Sequence, residues 1–409
     1  MRQAATLDLV LHENPDLTAF RHDVASWFSE HTPADWERRV DAMDRQQYVA
    51  FSQQWLRTLG SRGFGAPHVP REWGGGGYSV REQAILYEEW ARAGAPGVDL
   101  FVVSLFHVPT TLLIAGSPRQ QREYVRAAVT GTVWCQGFSE PSAGSDLASL
   151  RTRAEPADGG WRVTGQKIWS SNADAAEYCI LLARTDPDSH GSRGISYFVL
   201  DMRQPGVEVR PIKQNSGHQE FCEIFLDGAL IPAENVLGEV GQGWRVAQST
   251  LAAERGPTGL EITERIAVGL SHLIGELDAR RKLAVTAELS AVEAELAALS
   301  ARTWAVRSLA LDTVDALERG DGTGSLASVL KIAFTELLQE VTECASRRSG
   351  ERSLVDPRQR HHRGWITGDW ALDWFGSWGW TIAAGTNEIQ RNIIGEQLLG
   401  LPREPKVLR

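Results

Sequence analysis

The run GWRVTGQKIWSS at residues 160–171 decides the fold class, because it is rich in β-branched and aromatic residues and follows the turn at Asp158-Gly159. This pattern is typical of a strand in a compact β domain, and the alternation with turn signals indicates antiparallel pairing. Three further runs of the same kind follow it: EYCILLART (177–185), GISYFVLD (194–201) and EFCEIFLDG (220–228).

Helical periodicity flanks this β region on both sides. Leu17, Phe20 and Val24 recur on one helical face before it, and Leu296 and Leu299 continue a stripe in an Ala-, Glu- and Leu-rich segment after it. The order helices, strands, helices predicts an α+β fold rather than a doubly wound sheet. The predicted parts are an N-terminal helical domain (1–131), a central antiparallel β domain (132–243) and a C-terminal helical domain (244–409).

The composition is that of an ordinary globular protein, with 42% hydrophobic and 23% charged residues. The formal net charge of −10 argues against a general nucleic-acid-binding protein, because such proteins need a basic surface. An anionic ligand therefore needs a local cluster of Arg or Lys side chains.

Cysteine spacing and apolar patterning predict a cytoplasmic protein without a metal site. The four cysteines lie far apart and form no Cys-x-x-Cys pair, which predicts neither zinc nor a disulfide framework. His361 and His362 are adjacent, so they lack the one-face spacing of a helical metal pair. The first residues lack a signal-peptide pattern, and no apolar run reaches the length of a membrane helix.

Three segments contain residues that suit a flat ligand. In the first, Gly144 permits close approach of the backbone, and Ser139 and Ser145 offer hydroxyl groups. In the second, Trp169 can stack on a planar ring, and in the third, Thr386 precedes a helix whose first amides suit a phosphate. Each also has a structural alternative: a turn before a helix, a core aromatic residue and a simple N-cap. The segments are WCQGFSEPSAGSDLASLRTRAE (134–155), GQKIWSSNADAAEYCILLART (165–185) and TIAAGTNEIQRNIIGEQLLGLP (381–402).

In this order the three segments resemble the acyl-CoA dehydrogenase family, and the resemblance extends over nearly the whole chain. It implies FAD as cofactor, a C-terminal domain like a four-helix bundle, an acyl-CoA substrate, an electron-transfer flavoprotein as electron acceptor and a homo- or hetero-tetramer. The implied substrate contacts include Ser145, Ala384 and Gly385. The implied flavin contacts are Phe138, Ser139, Gly144, Ser145, Trp169, Ser171, Thr386 and Glu388.

The position of the catalytic base departs from the commonest family pattern. Many members carry Glu directly before the Gly-Thr pair, where this chain has Ala384. Some branches, notably those for branched, long or steroid-side-chain acyl groups, place the Glu on an earlier helix, and TLAAERGPTG at 250–259 resembles that segment. The resemblance thus implies Glu254 as the base and Arg255 as an acyl-CoA contact. An apolar pocket raises a carboxylate pKa, which suits a general base. The alternative is a solvated Glu-Arg pair, and Pro257 can bend the helix nearby.

Two further family features are missing. No Phe-Gly follows Arg280 or Arg281, where many members have Arg-x-x-Phe-Gly, and CASRRSGERS stands where many have Gln-x-x-Gly-Gly. In the family these elements hold the FAD pyrophosphate, partly across a subunit interface. Arg280 or Arg281 is the remaining candidate, and Arg281 is the one assigned. The losses resemble bacterial branches that form mixed tetramers. The Arg- and His-rich segment 347–365 is either a CoA phosphate contact or a solvated loop.

Three interpretations of function remain at this point. The leading one is an FAD-dependent acyl-CoA dehydrogenase that makes an α,β-unsaturated thioester. The second keeps the fold but reacts with oxygen, or acts on an acyl group bound to a carrier protein. The third is a supporting subunit of a mixed α2β2 tetramer with only part of a flavin site. Glu254 and the flavin-ring segments favour the first, and the missing pyrophosphate motifs favour the third.

Overall fold

Helices form the N-terminal part of the chain. The computed structural model describes residues 15–253, 258–281, 289–321, 324–350, 361 and 369–403. Capping boxes begin three of the described helices, because Asp44, Ser79 and Ser117 accept hydrogen bonds from the amides of Gln47, Glu82 and Gln120. The helices are α1 (Pro15–His31), α2 (Trp36–Ala42), α3 (Arg45–Gly60), α4 (Val80–Arg92), α5 (Val108–Ala115), α6 (Pro118–Gln120) and α7 (Arg126–Val129), with π-helical turns at Val103–His107 and Gln121–Val125.

Seven strands follow and form one sheet. Its order is β1-β4-β2-β3-β7-β6, and β5 also pairs with β4. The predicted antiparallel pairing is confirmed for β2/β3, β3/β7, β4/β5 and β6/β7. β1 and β4 instead run parallel, because the chain crosses over through β2 and β3 before it returns. The strands are β1 (Trp134–Gly137), β2 (Arg153–Ala157), β3 (Gly160–Ser171), β4 (Tyr178–Arg184), β5 (Ile195–Asp201), β6 (Val207–Pro211) and β7 (Phe221–Pro232).

Helices return after the sheet, and α9 to α12 pack against one another as the predicted bundle. Leu299 of the predicted helical stripe is buried in this bundle. Of the segment 318–325, which connects α10 to α11, only residues 318–321 and 324–325 are described. The helices are α8 (Gly243–Ala253), α9 (Thr258–Arg281), α10 (Leu289–Glu318), α11 (Leu326–Arg348), α12 (Trp370–Ile382) and α13 (Asn387–Ile393), followed by a π-helical turn at Ile394–Leu398.

Two large cores stabilise the molecule. One runs from α1, α3, α4 and α5 into both faces of the sheet, and the other fills the C-terminal helices and includes Ala84 of α4. Because the first core is continuous across helices and strands, the domain boundaries at 131 and 243 stay a prediction. No helix in the described part of the chain is both long enough and apolar enough to cross a membrane.

Candidate active site

The first of the three segments leaves β1 and turns sharply. Glu140 and Ala143 exchange two backbone hydrogen bonds of 3.0 Å, so the chain reverses over Pro141. The ring of Phe138 points into the core and contacts the ring of Tyr197 at 5.5 Å between centroids. Beyond the turn the backbone is exposed, and a Cβ placed on Gly144 meets no atom within 4 Å. The exposed loop therefore offers backbone and hydroxyl groups to a ligand.

Trp169 in the second segment lies on the surface, not in the core. The pairing of β3 with β7 is interrupted between Lys167 and Ser170, and Trp169 at this bulge has a φ of +62°. The residue is 56% exposed, and its ring meets that of Phe221 in a T-shaped arrangement at 6.1 Å between centroids. A left-handed backbone costs a residue with a Cβ about 1–2 kcal/mol. A large aromatic ring held outward at that cost fits a stacking platform. Ser171, two residues on, is half-buried.

A buried ion pair joins the first two segments. Lys167 is fully buried, and its Nζ donates to the Glu140 carboxylate at 2.9 Å and to the Phe138 carbonyl at 3.0 Å. The amides of Arg151 and Thr152 also donate to Glu140, at 2.6 and 2.8 Å. Burial lowers the pKa of Lys167, and although burial also disfavours ionised Glu140, the Lys167 charge and these donors hold the pKa of that carboxyl below its ordinary value. The two segments thus form one unit.

The third segment is a left-handed turn followed by a cap. Ala384 and Gly385 have φ values of +54° and +81°, and the Thr386 hydroxyl accepts from the Ile389 amide, so the N-cap interpretation is confirmed. Fully buried Gln390 fixes the turn by donating to the carbonyls of Ala384 and Gly385 at 2.9 and 3.2 Å.

The side chain of Asn387, the residue after Thr386, links α13 to α11. Its Oδ1 accepts from Lys331 at 2.7 Å. Glu388 is exposed, and its pKa is lowered by its own backbone amide and by Thr386. Within the described ranges, no hydrogen bond links this turn to the first two segments. The predicted site residues therefore lie on two separate parts of the structure. The first two segments belong to the sheet, and the third belongs to the C-terminal helices.

Glu254 and Arg255 lie outside the described residues, as does the side chain of Arg281, the last residue of α9. Helix α8, which ends at Ala253 directly before Glu254, is nevertheless held in place by side-chain hydrogen bonds. Thr250 of α8 is completely buried, and its hydroxyl lies 2.6 Å from the hydroxyl of Thr111 and 3.2 Å from that of Tyr197. Since Tyr197 also contacts Phe138, α8 is held against the first segment.

Comparison with known proteins identifies the family. Models of the acyl-CoA dehydrogenase N-terminal, middle and C-terminal domains match residues 14–132, 135–229 and 241–399. The chain belongs to the acyl-CoA dehydrogenase family. It is therefore a member of a family of oxidoreductases that act in lipid metabolism, and its homologues are flavoproteins.

Similar proteins include acyl-CoA dehydrogenases of Mycobacterium tuberculosis and solved structures of the family. Acyl-CoA dehydrogenase IpdE1 of Mycobacterium tuberculosis is 37% identical over 399 residues, which are 96% of this chain and 99% of IpdE1. FadE34 of the same organism is 37% identical over 85% of this chain, but the match spans 46% of FadE34. The solved Tcur3481-Tcur3483 steroid ACAD has a TM-score of 0.83 at 28% identity, covering 96% of this chain and 99% of its own. A chain of the ChsE4-ChsE5 complex of M. tuberculosis has a TM-score of 0.79 at 25% identity. The match covers 96% of this chain and 100% of that one.

Several residues that hold the three segments in place were missed by the sequence interpretation. Lys167 could have been found, because strict alternation along β3 places it on the same buried face as Val163. A charged residue at such a position needs a partner, and Glu140 in the neighbouring motif is one. The contacts of Gln390 and Tyr197 depend on tertiary packing, so no local pattern indicates them.

The described part of the chain holds no group of three His, Cys, Asp or Glu side chains that could bind a metal ion. A surface groove between the α5–α6 turn and the end of β7, lined by Gly116, Arg119, Trp161 and Val236, contains none of the predicted site residues.

Proposed function

We propose that this chain is an FAD-dependent acyl-CoA dehydrogenase that introduces an α,β double bond into an acyl-CoA thioester, with Glu254 as the base. The observation that carries the proposal is the anchoring of α8. This helix ends one residue before Glu254 and is tied to the first segment through Thr250, Tyr197 and Phe138. Ala384 has no ionisable group, so the third segment offers no base at that position.

The three segments fit an isoalloxazine ring. Exposed Trp169 provides a flat face, and Ser139, Ser145 and Ser171 are the proposed hydroxyl contacts. The side chain of buried Gln390 donates to the turn at Ala384–Thr386, but its Oε1 atom has no hydrogen-bond partner among the described residues. An unsatisfied acceptor therefore lies beside this turn. Further flavin contacts are assigned to Phe138, Gly144, Thr386 and Glu388, and Arg281 is assigned to the pyrophosphate.

FAD supplies the hydride acceptor for the β carbon when it is bound. Glu254 removes the α proton as that hydride leaves, so the thioester loses one proton and one hydride and gains a double bond. Arg255, Ser145, Ala384 and Gly385 orient the thioester. An apolar acyl group that excludes water from a carboxylate makes that carboxylate a stronger base.

Bulky acyl groups are the proposed substrate class, because the base on the earlier helix and the likeness to a steroid ACAD both favour them. The proposed electron acceptor is an electron-transfer flavoprotein, and the proposed location is the cytoplasm. A mixed tetramer is the proposed assembly, since the ChsE4-ChsE5 complex is similar over nearly the whole chain and two pyrophosphate motifs are missing here. Oxygen and carrier-bound acyl groups remain alternatives for acceptor and substrate.

The test is an anaerobic titration of the purified flavoprotein with short, branched, long and steroid-side-chain acyl-CoAs, following the oxidised flavin absorbance. We expect one class to bleach the flavin, and Glu254→Gln to bleach about 10²–10⁴-fold more slowly, as for loss of a general base. Glu276→Gln, an equal charge change at an exposed position of α9, is the control and should match the wild type.

Two results would contradict the proposal. If Glu254→Gln reacts at the wild-type rate, the base lies elsewhere. If the chain binds no FAD alone or with a co-expressed partner subunit, the dehydrogenase assignment fails. Bleaching by a carrier-bound thioester, with no response to any acyl-CoA, would instead support the carrier-protein alternative.

A further inference from the structure

The buried pair of Glu140 and Lys167 is unusual because it costs more than an apolar pair would. Lys167 is completely buried and Glu140 is 6% exposed, so both ions have lost their water. Replacing such a pair with apolar residues of similar volume is often neutral or stabilising. Stability alone therefore gives no reason for a lysine in the middle of β3.

The pair makes contacts that apolar residues cannot make. The Lys167 ammonium donates to the Phe138 carbonyl and to Glu140 at once, at 3.0 and 2.9 Å. Glu140 in turn fixes the start of β2 by accepting from the amides of Arg151 and Thr152. Every one of these partners lies in the first segment or directly after it.

The contacts determine the distance between the two flavin-ring segments. Ser139, which lies between Phe138 and Glu140, accepts a 3.0 Å hydrogen bond from the amide of Ile168. Ile168 lies between Lys167 and Trp169. A tryptophan with a left-handed backbone conformation persists only where the surrounding structure holds that backbone firmly. Lys167 of the ion pair lies two residues before Trp169, whose φ is +62°.

We propose that Glu140 and Lys167 are positioning residues that hold Ser139 and Trp169 at a fixed separation, and so preform the surface on which the flavin ring binds. This rests on the proposed function. The pair itself does not touch the ring, because both side chains are enclosed by the sheet and the loop.

The test compares the wild type with Lys167→Met/Glu140→Gln, which removes both charges at similar volume. A matched control is Arg307→Met/Glu264→Gln, which removes an equally buried ion pair (7% and 7% exposed) between α9 and α10. Three quantities are measured on each apoprotein: FAD affinity by fluorescence titration, backbone hydrogen exchange of residues 134–152 and 165–173, and the urea midpoint.

We expect the double variant at Lys167 and Glu140 to bind FAD about tenfold or more weakly, because small misplacements of positioned groups have effects of this size. Exchange should accelerate in the two segments. The control should lose stability yet keep FAD affinity within about twofold, as expected of an independent site. FAD affinity and segment exchange that match the wild type in the double variant would overturn the inference.

A second variant and one further outcome keep the test decisive. If the double variant does not fold, Lys167→Arg keeps both charges but replaces the ammonium that reaches the Phe138 carbonyl, and it should show the same changes at smaller size. If wild-type apoprotein, with or without a partner subunit, binds no FAD, the proposed function fails. Hydrogen exchange then still decides whether the pair orders the two segments.

Discussion

Left-handed backbone at residues other than glycine is concentrated near the predicted site. In the described part of the chain it occurs at Asp35, Trp169, Asn172 and Ala384. Trp169 and Ala384 belong to the second and third segments, and Asn172 follows Trp169 closely. Strain of this kind persists where function or packing requires it. The two segments therefore carry a cost in stability that substitutions can reveal.

Replacing Ala384 with glycine should stabilise the protein. Glycine adopts the φ of +54° without the Cβ clash, which is worth about 1–2 kcal/mol, but it gains entropy in the unfolded chain. We expect a net gain of about 0.5–1 kcal/mol in the free energy of unfolding, measured with urea.

The neighbouring residue provides the control for this prediction. Ala383 has a φ of −64°, so Ala383→Gly relieves no strain and should lose stability slightly. Equal changes in the two variants would show that the left-handed conformation of Ala384 stores no strain.

At the scale of elements, the π-helical turn Val103–His107 places a histidine in the first core. His107 is 5% exposed, and burial lowers its pKa to about 4 from an ordinary 6.5. Between about pH 4 and pH 6.5, the imidazole of His107 therefore stays neutral in the folded protein but is protonated in the unfolded chain. Stability should fall as the pH drops below 6.5 and the loss should be complete near pH 4, with a size of up to about 3 kcal/mol from this group.

This acid sensitivity can be measured by urea unfolding across that pH range. His107→Gln has no proton to gain, so its stability should fall less steeply on acidification than that of the wild type. His272→Gln, at an exposed position of α9, should leave the wild-type slope unchanged. A His107→Gln variant with the wild-type slope would assign the acid loss to other groups.

Elements with local signals were predictable from sequence, and elements with long-range pairing were not. Alternation in GWRVTGQKIWSS and the residues before α13 indicated β3 and the Thr386 cap, because both depend on neighbours in the chain. The parallel pairing of β1 with β4 depends on a crossover that no local pattern records. The ion pair of Lys167 with Glu140 is an intermediate case: alternation along β3 marks Lys167 as buried, but its partner lies 27 residues away.

At the scale of the whole molecule, buried charges link the N-terminal and C-terminal helices. Arg21 of α1 pairs with Glu88 and Glu89 of α4, and Arg307 of α10 pairs with Glu88 and with Glu264 of α9. Burial and the nearby Glu88 charge raise the pKa of Glu264, although Arg307 opposes them. Arg307 therefore bridges the carboxylates of Glu264 and Glu88, and Glu88 also keeps its pair with Arg21.

Removing this cation should destabilise the whole chain in a pH-dependent way. Arg307→Met leaves Glu264 buried without its partner, so we expect a loss of about 3–5 kcal/mol at neutral pH. Loss of the guanidinium raises the Glu264 pKa further, so the folded variant binds a proton that the unfolded chain releases above 4.5. The deficit should consequently shrink as the pH falls from neutral towards that value.

Urea unfolding of Arg307→Met and of Arg302→Met across this range checks the prediction. Arg302 lies on the same helix and pairs with Glu340, but both side chains are about half exposed, so its loss should cost under about 1 kcal/mol at every pH. A deficit at Arg307 that stays constant on acidification would mean that Glu264 is not the unpaired charge. A deficit as small as that of Arg302→Met would mean that the Arg307 pairs add little to the other contacts between the two helical parts. Those contacts are the packing of α4 against α9 in the second core and the pairs of Arg81 with Asp315 and Glu318.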